Sequence, residues 1–182
     1  HLSAWWVKTV TSHPWLTILS VTALVVVMTI PALNLRLALP DNGVEDESTM
    51  ARQTFDLVAE EFGPGANGPL VVIGDIVTSR DPLGLMASMK SEIEQMPGVD
   101  QVQLSTPNRS ADLGVVVVIP KTGADSVETE QLVHALRDAA PDWEAKYDIS
   151  NVMVTGSAAV AIDVSEKLYS ALLPFGAVVV GL

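Results

Sequence analysis

The sequence contains no cysteine. Disulfide frameworks, thiolate metal sites and thiol nucleophiles are therefore excluded, while the absence says little about compartment. Basic residues are scarce: 10 Lys and Arg stand against 22 Asp and Glu, for a formal net charge of −12. That balance argues against a nucleic-acid-binding surface, which needs clustered Lys and Arg. It also argues against a domain lying on anionic lipid, which needs a polybasic face. Acids are missing from the first forty residues, where Lys8 and Arg36 are the only fixed charges, and charge of either sign is missing from the last fifteen.

Apolar residues are plentiful, at 48 % of the chain, and the mean hydropathy is +0.35. A hydropathy this high and a charge of −12 fit one chain only if apolar and charged residues are segregated, and every acid indeed lies between Asp41 and Glu166. The length of 182 residues allows one ordinary domain plus a membrane segment. The chain starts at His1 and both its ends lie near apolar runs, so it reads as an excerpt from a longer protein.

Trp15 to Leu33 is a run of nineteen uncharged residues. As a helix it reaches about 28 Å, close to the ~30 Å hydrocarbon core of a bilayer. A buried core helix usually runs shorter and shows a polar face, and a secretory signal has a shorter apolar region and a small-residue cleavage site. A membrane span is the better reading. Trp5, Trp6 and Trp15 suit the headgroup region. Pro14 suits a first helical turn and Pro31 a stop or kink. Lys8 and Arg36 flank the run almost symmetrically, so basic residues barely orient it; the acidic domain is placed outside the cytoplasm. Leu168 to Leu182 is a second uncharged run, read as the start of a further span, with a docking C-terminal helix as the alternative. Both ends of the domain then return to the same membrane face. Three regions follow: 1–39, an N-terminal flank with a transmembrane helix at about 15–33; 40–156, an extracytoplasmic domain; and 157–182, a linking helix and the start of a truncated transmembrane helix.

Within the domain, Pro40 to Glu47 reads as a linker. A helix over about Ser48 to Phe62, capped by Ser48, carries Ala51, Phe55, Val58, Ala59 and Phe62 on one face. Leu70 to Val77 reads as a strand. Asp81 caps a helix with Pro82 at its first position, and Leu85, Met86, Met89, Ile93 and Met96 form its stripe. Val99 to Ser105 is a strand of ambiguous register, in which Val99, Val102 and Leu104 compete for the inner face. Leu113 to Ile119 is a strand apolar on both faces. Asp125 and Glu128 form a capping box for a helix with Leu132, Val133, Leu136 and Ala140 inside, closed by Pro141. Asn151 to Thr155 is the fourth strand. The order βαββαβ predicts an α+β, ferredoxin-like domain: a four-stranded antiparallel sheet with both helices on one face. The other face then needs cover from the Ser48–Phe62 helix or a neighbouring domain.

A search for chemistry yields little. FGPGANGP, Phe62 to Pro69, lacks the Lys and Ser/Thr of a phosphate loop and runs from helix to strand, so it reads as a connector. Ser157 in TGSAAV lacks the surroundings of a nucleophile elbow and reads as an N-cap. His134 has Glu128 and Glu130 one turn away but no second His, and reads as a surface residue. Glu60-Glu61 and Asp46-Glu47 lie in loops or on solvated faces, not in the pockets that acid/base work needs. Asp163 and Lys167 read as an i, i+4 surface pair, with lining of a path into the membrane the remote alternative. Asn108 and Arg109 fall in the β2–β3 turn, away from where an acylphosphatase-like phosphate site belongs. The reading contains no catalytic, cofactor-binding or metal-ligating residue and no enzyme.

The pieces fall in a distinctive order: His13-Pro14 introducing a span that ends Ile30 to Leu33, L-x-L-x-L-P-D (Leu35 to Asp41), FGPGANGPLVV (Phe62 to Val72), the βαββαβ domain, then VTGSAAVAIDVSEKL (Val154 to Leu168) leading into an apolar helix. This set resembles the MMPL family of the resistance-nodulation-division (RND) transporter superfamily, as found in actinobacteria. The resemblance covers nearly the whole chain. It implies a protein of two repeats, each with a first span, an extracytoplasmic porter domain and further spans; this chain looks like one such unit, more like the second. It implies a multi-pass protein of the cell (inner) membrane exporting lipids or other hydrophobic small molecules, driven by protons. The implied partners are the lipid bilayer, the remaining transmembrane helices, a second porter domain and an amphiphilic substrate. The family's proton-carrying groups lie in spans outside this chain, so no coupling residue carries over. The alternative is a membrane-anchored binding or assembly module, such as a protein-export subunit of the same superfamily.

Overall fold

The computed structural model describes residues 14–29 and 41–181. Expectations resting on Trp5, Trp6, Lys8, His13, Arg36 and the Ile30–Leu33 end of the first apolar run lie outside the described residues. The chain divides into two units, His1–Leu37 and Ala38–Leu182. In the first, helix α1 spans Pro14–Thr29 with Pro14 at its start, where the missing N–H costs nothing. Its large apolar side chains from Trp15 to Met28 are exposed on all sides. Among the described residues, no helix is long and apolar enough to cross a membrane.

The second unit is α+β. A 3-10 turn at Asn42–Val44 precedes helix α2 (Met50–Phe62), and a second at Pro64–Asn67 leads into strand β1 (Leu70–Asp75). Helix α3 (Pro82–Glu94), strands β2 (Val99–Pro107) and β3 (Leu113–Pro120), helix α4 (Val127–Tyr147), strand β4 (Ser150–Gly156) and helix α5 (Ser157–Gly181) follow. The strands form one sheet in the order β2-β3-β1-β4, and every neighbouring pair is antiparallel.

Alternation along the strands sends Leu70, Val72, Val116 and Val118 to one face, where they are at most 1 % exposed. Ile93 and Met86 of α3 and Leu132, Val133 and Leu136 of α4 join them in a single core, so both helices lie on the same side of the sheet. Val71, Ile73, Val115 and Val117 point the other way and stay half-buried, beside the exposed Leu104 and Met153. Helix α2 does not cover that face. It packs against the two 3-10 turns and has no buried residue: Phe55, Val58 and Ala59 are half-buried, whereas Ala51 and Phe62 are exposed.

The two register shifts of β2, between Val99 and Gln101 and between Val102 and Leu104, resolve its ambiguous pattern. Each bulge inserts a residue, so Val99 and Val102 both face inward although three residues apart, and Leu104 faces outward at 46 % exposure. A further shift lies between Ile73 and Asp75. There Asn151 sits at φ 54°, and the Val152 N–H donates to the Glu144 carboxylate at 2.8 Å.

Three expected helix boundaries are corrected. Thr49, not Ser48, caps α2, accepting the Arg52 N–H; the Ser48 hydroxyl is engaged by the Asp46 carboxylate at 2.6 Å. Ser126, not Asp125, caps α4, accepting the Thr129 N–H at 3.1 Å within a hydroxyl cluster that also satisfies the buried Thr129 through Thr122. Pro141 does not close α4, which runs on to Tyr147. Proline removes one donor from the helix ladder, yet the next turn buries Trp143 to 4 % exposure, and that burial outweighs the lost bond. Asp81 caps α3 by accepting the Gly84 N–H, with Pro82 first, as its sequence indicates.

Leu136→Ala leaves a cavity at a side chain with no exposure and is expected to lower unfolding free energy by about 2–5 kcal/mol, read from urea denaturation. Pro141→Ala, on the exposed side of α4, restores a helix donor and is expected to raise it by about 1–3 kcal/mol.

Candidate functional site

Helices α4 and α5 meet along a polar seam. Helical spacing places Glu130, His134 and Arg137 on one stripe of α4, and Asp163 and Glu166 one turn apart on α5. His134 Nε2 lies 3.0 Å from Glu166 Oε1, and ligand atoms of Glu130, His134 and Glu166 all lie within 4.8 Å of one another. Next to them the Arg137 guanidinium grips Asp163 with two bonds, 2.7 and 2.9 Å, and reaches the Val154 carbonyl of β4 at 3.4 Å. The hydrogen bonds to Asp163 push the Arg137 pKa further above its ordinary value. The expected Asp163–Lys167 pair is thus replaced by Asp163–Arg137. A bidentate partner on a neighbouring helix offers more than a flexible lysine on the same one.

A second polar cluster binds α3 to α4. Glu92 accepts from Trp143 Nε1 at 3.0 Å, from the Tyr147 hydroxyl at 2.5 Å and from the Lys146 ammonium. The Lys146 bond foremost, and the Tyr147 bond next, hold the Glu92 carboxyl below the ordinary glutamate range. Burial chiefly, with the hydrogen bond to Glu92, pushes the Tyr147 hydroxyl up. Sequence reading missed this cluster because it placed the end of α4 at Pro141; Glu92 is itself i, i+4 from Met96 and gave no signal of its own.

The connector FGPGANGP packs against the end of β3. A Cβ on Gly65 would lie 1.8 Å from the Pro120 carbonyl oxygen, so this approach requires glycine, and Asn67 Nδ2 donates to the Phe55 carbonyl at 2.9 Å. Ser157 is the first residue of α5, one place later than an N-cap, and follows Gly156 at φ 113°. Asn108 accepts the Asp112 and Leu113 N–H groups and donates to the Asp112 carboxylate, which makes it a turn residue. The Glu60-Glu61 and Asp46-Glu47 side chains are exposed.

Helix α5 changes character along its length. Its first turns bury Ala158, Ala159 and Ile162 in the core, whereas Leu168, Tyr169, Leu172, Phe175, Val178 and Val179 are exposed. A helix apolar on all sides is stable only inside protein or lipid. The distal part of α5 thus presents an apolar surface that favours protein or lipid over water. Over 177 residues, 97 % of this chain and 24 % of the relative, the chain is 32 % identical to Membrane protein YdfJ of Bacillus subtilis (strain 168). It therefore spans about a quarter of the length of the relative it matches. No family model matches the chain.

Glu92 sets an acid sensitivity. Its folded-state pKa is lowered, so its contribution to stability is complete above the ordinary glutamate range and is lost as pH falls through the lowered value. Unfolding midpoints recorded from pH 6 down to about pH 3 should drop for the parent chain and drop less steeply for Glu92→Gln, which starts from a lower midpoint.

Proposed function

We propose that this chain is the extracytoplasmic porter-domain segment of a proton-driven membrane transporter of the MMPL type, exporting lipids or other hydrophobic small molecules. The observation that carries this reading is α5: one unbroken helix rooted in the α+β core and ending in an apolar surface that water does not favour. At about 25 cal/mol per Å² of apolar area, withdrawing that surface into hydrocarbon is strongly favourable. The likeness to a protein named as a membrane protein, over nearly the whole chain, supports the same direction.

In this reading the βαββαβ unit with sheet order β2-β3-β1-β4 is a ferredoxin-like porter domain. The domain faces the extracytoplasmic side, and α1 and α5 belong to spans on either side of it. The half-buried sheet face of Val71, Ile73, Val115 and Val117 is where a second porter domain would supply cover. The path for substrate runs beside these rigid lobes, and the spans move them. The coupling groups lie in other spans, so the chain's own share of the work is to bind, guide and transmit motion.

This segment contains no cysteine, so single cysteines can be placed in it on a full-length background from which any others have been removed. In the full-length protein in cells, Asp100→Cys should react with a membrane-impermeant thiol reagent added outside, and Val178→Cys should react only after detergent. Ready reaction of Val178→Cys in intact membranes would overturn the span; labelling of Asp100→Cys only in inverted vesicles would overturn the orientation.

A further inference from the structure

We propose that Glu130, His134 and Glu166 form a binding site for a divalent transition-metal ion of the zinc class, bridging α4 to α5. Three observations converge on it. Glu130 and His134 stand four residues apart on α4, so their side chains project from the same stripe one turn apart. Glu166 meets them from α5, with its Oε1 at 3.0 Å from His134 Nε2. The three ligand atoms lie within 4.8 Å of one another; zinc ligands about 2.0–2.2 Å from a shared ion stand about 3.3–3.6 Å apart in a tetrahedral shell, so a pair at that limit must close by about 1.3 Å. Glu130 is half-buried and the other two are exposed, so rotamer changes suffice to close the shell.

The donor chemistry selects the ion. An imidazole nitrogen with two carboxylates suits Zn²⁺, Co²⁺ or Ni²⁺, whereas Ca²⁺ and Mg²⁺ prefer oxygen alone. Three protein ligands leave one position of a tetrahedral shell to solvent. With Asp163 neutralised by Arg137, the carboxylates of Glu130 and Glu166 supply the negative charge that attracts a cation. An ion here fastens the base of α5 to α4 beside the Arg137–Asp163 clamp and makes the attachment of α5 metal-dependent. The site does not depend on the transport reading and stands or falls separately.

The test is titration of the full chain with Zn²⁺ alone, with Co²⁺ as a spectroscopic stand-in. One equivalent of Zn²⁺ should bind saturably and raise the thermal midpoint, and Co²⁺ should develop visible absorption bands of a low-coordinate site. His134→Ala should weaken binding by about tenfold or more, the scale on which even outer-shell changes act. Glu130→Gln, which keeps the His134–Glu166 contact, should weaken it as well, while His13→Ala should not. Absence of saturable binding, or binding unchanged in both His134→Ala and Glu130→Gln, would overturn the site and leave His134–Glu166 a simple surface pair.

Discussion

Leu70, Val72, Val116 and Val118 occupy the centre of the sheet and lose essentially all contact with water. Burial of each such side chain contributes about 1.5–3 kcal/mol relative to exposure, and all four lie on the same face. This one-sided demand sets the rest. It draws α3 and α4 to one side, fixes the register of β1 against β3, and makes β2, whose apolar residues are badly spaced, bulge once so that Val99 and Val102 both reach the core and again before Leu104, which faces outward. It also leaves the opposite face half-buried, without a covering element among the described residues.

Much of this was legible in the sequence, because the signals were local. Strand positions followed from short β-branched runs, α3 from Asp81-Pro82, and the inner face of α4 from Leu132, Val133, Leu136 and Ala140. The sheet side left needing cover was also anticipated, though α2 does not supply it. Boundaries were less legible. Two adjacent candidate caps, Ser48 and Thr49 or Asp125 and Ser126, differ only in which hydroxyl or carboxylate meets the third N–H, and that depends on turns no pattern encodes. Pro141 misled because a local rule for proline met a nonlocal gain, the burial of Trp143.

The polar contacts were the least legible. Glu92 meets Trp143 and Tyr147 from another helix, and Arg137 meets Asp163 across the α4–α5 seam. His134 reads as a lone surface histidine until α5 brings Glu166 beside it. Helical periodicity predicts which residues share a face, but not which faces meet. An expectation that Asp163 would pair with Lys167 was reasonable on spacing and failed because a guanidinium on the next helix offers two aligned bonds.

The continuity of α5 has a mechanical meaning. Twenty-five residues without a break make a rod about 37 Å long, clamped at one end by Ala158, Ala159 and Ile162 and by the Arg137–Asp163 grip. Tilting such a rod by about 10° sweeps its tip through about 6 Å. No floppy tether intervenes to absorb the stroke, and Pro174, the residue best suited to bending, sits near the tip and not at the root. Force applied among Leu168, Tyr169 and Leu172, on the root side of that proline, is thus delivered to the edge of the sheet as torque.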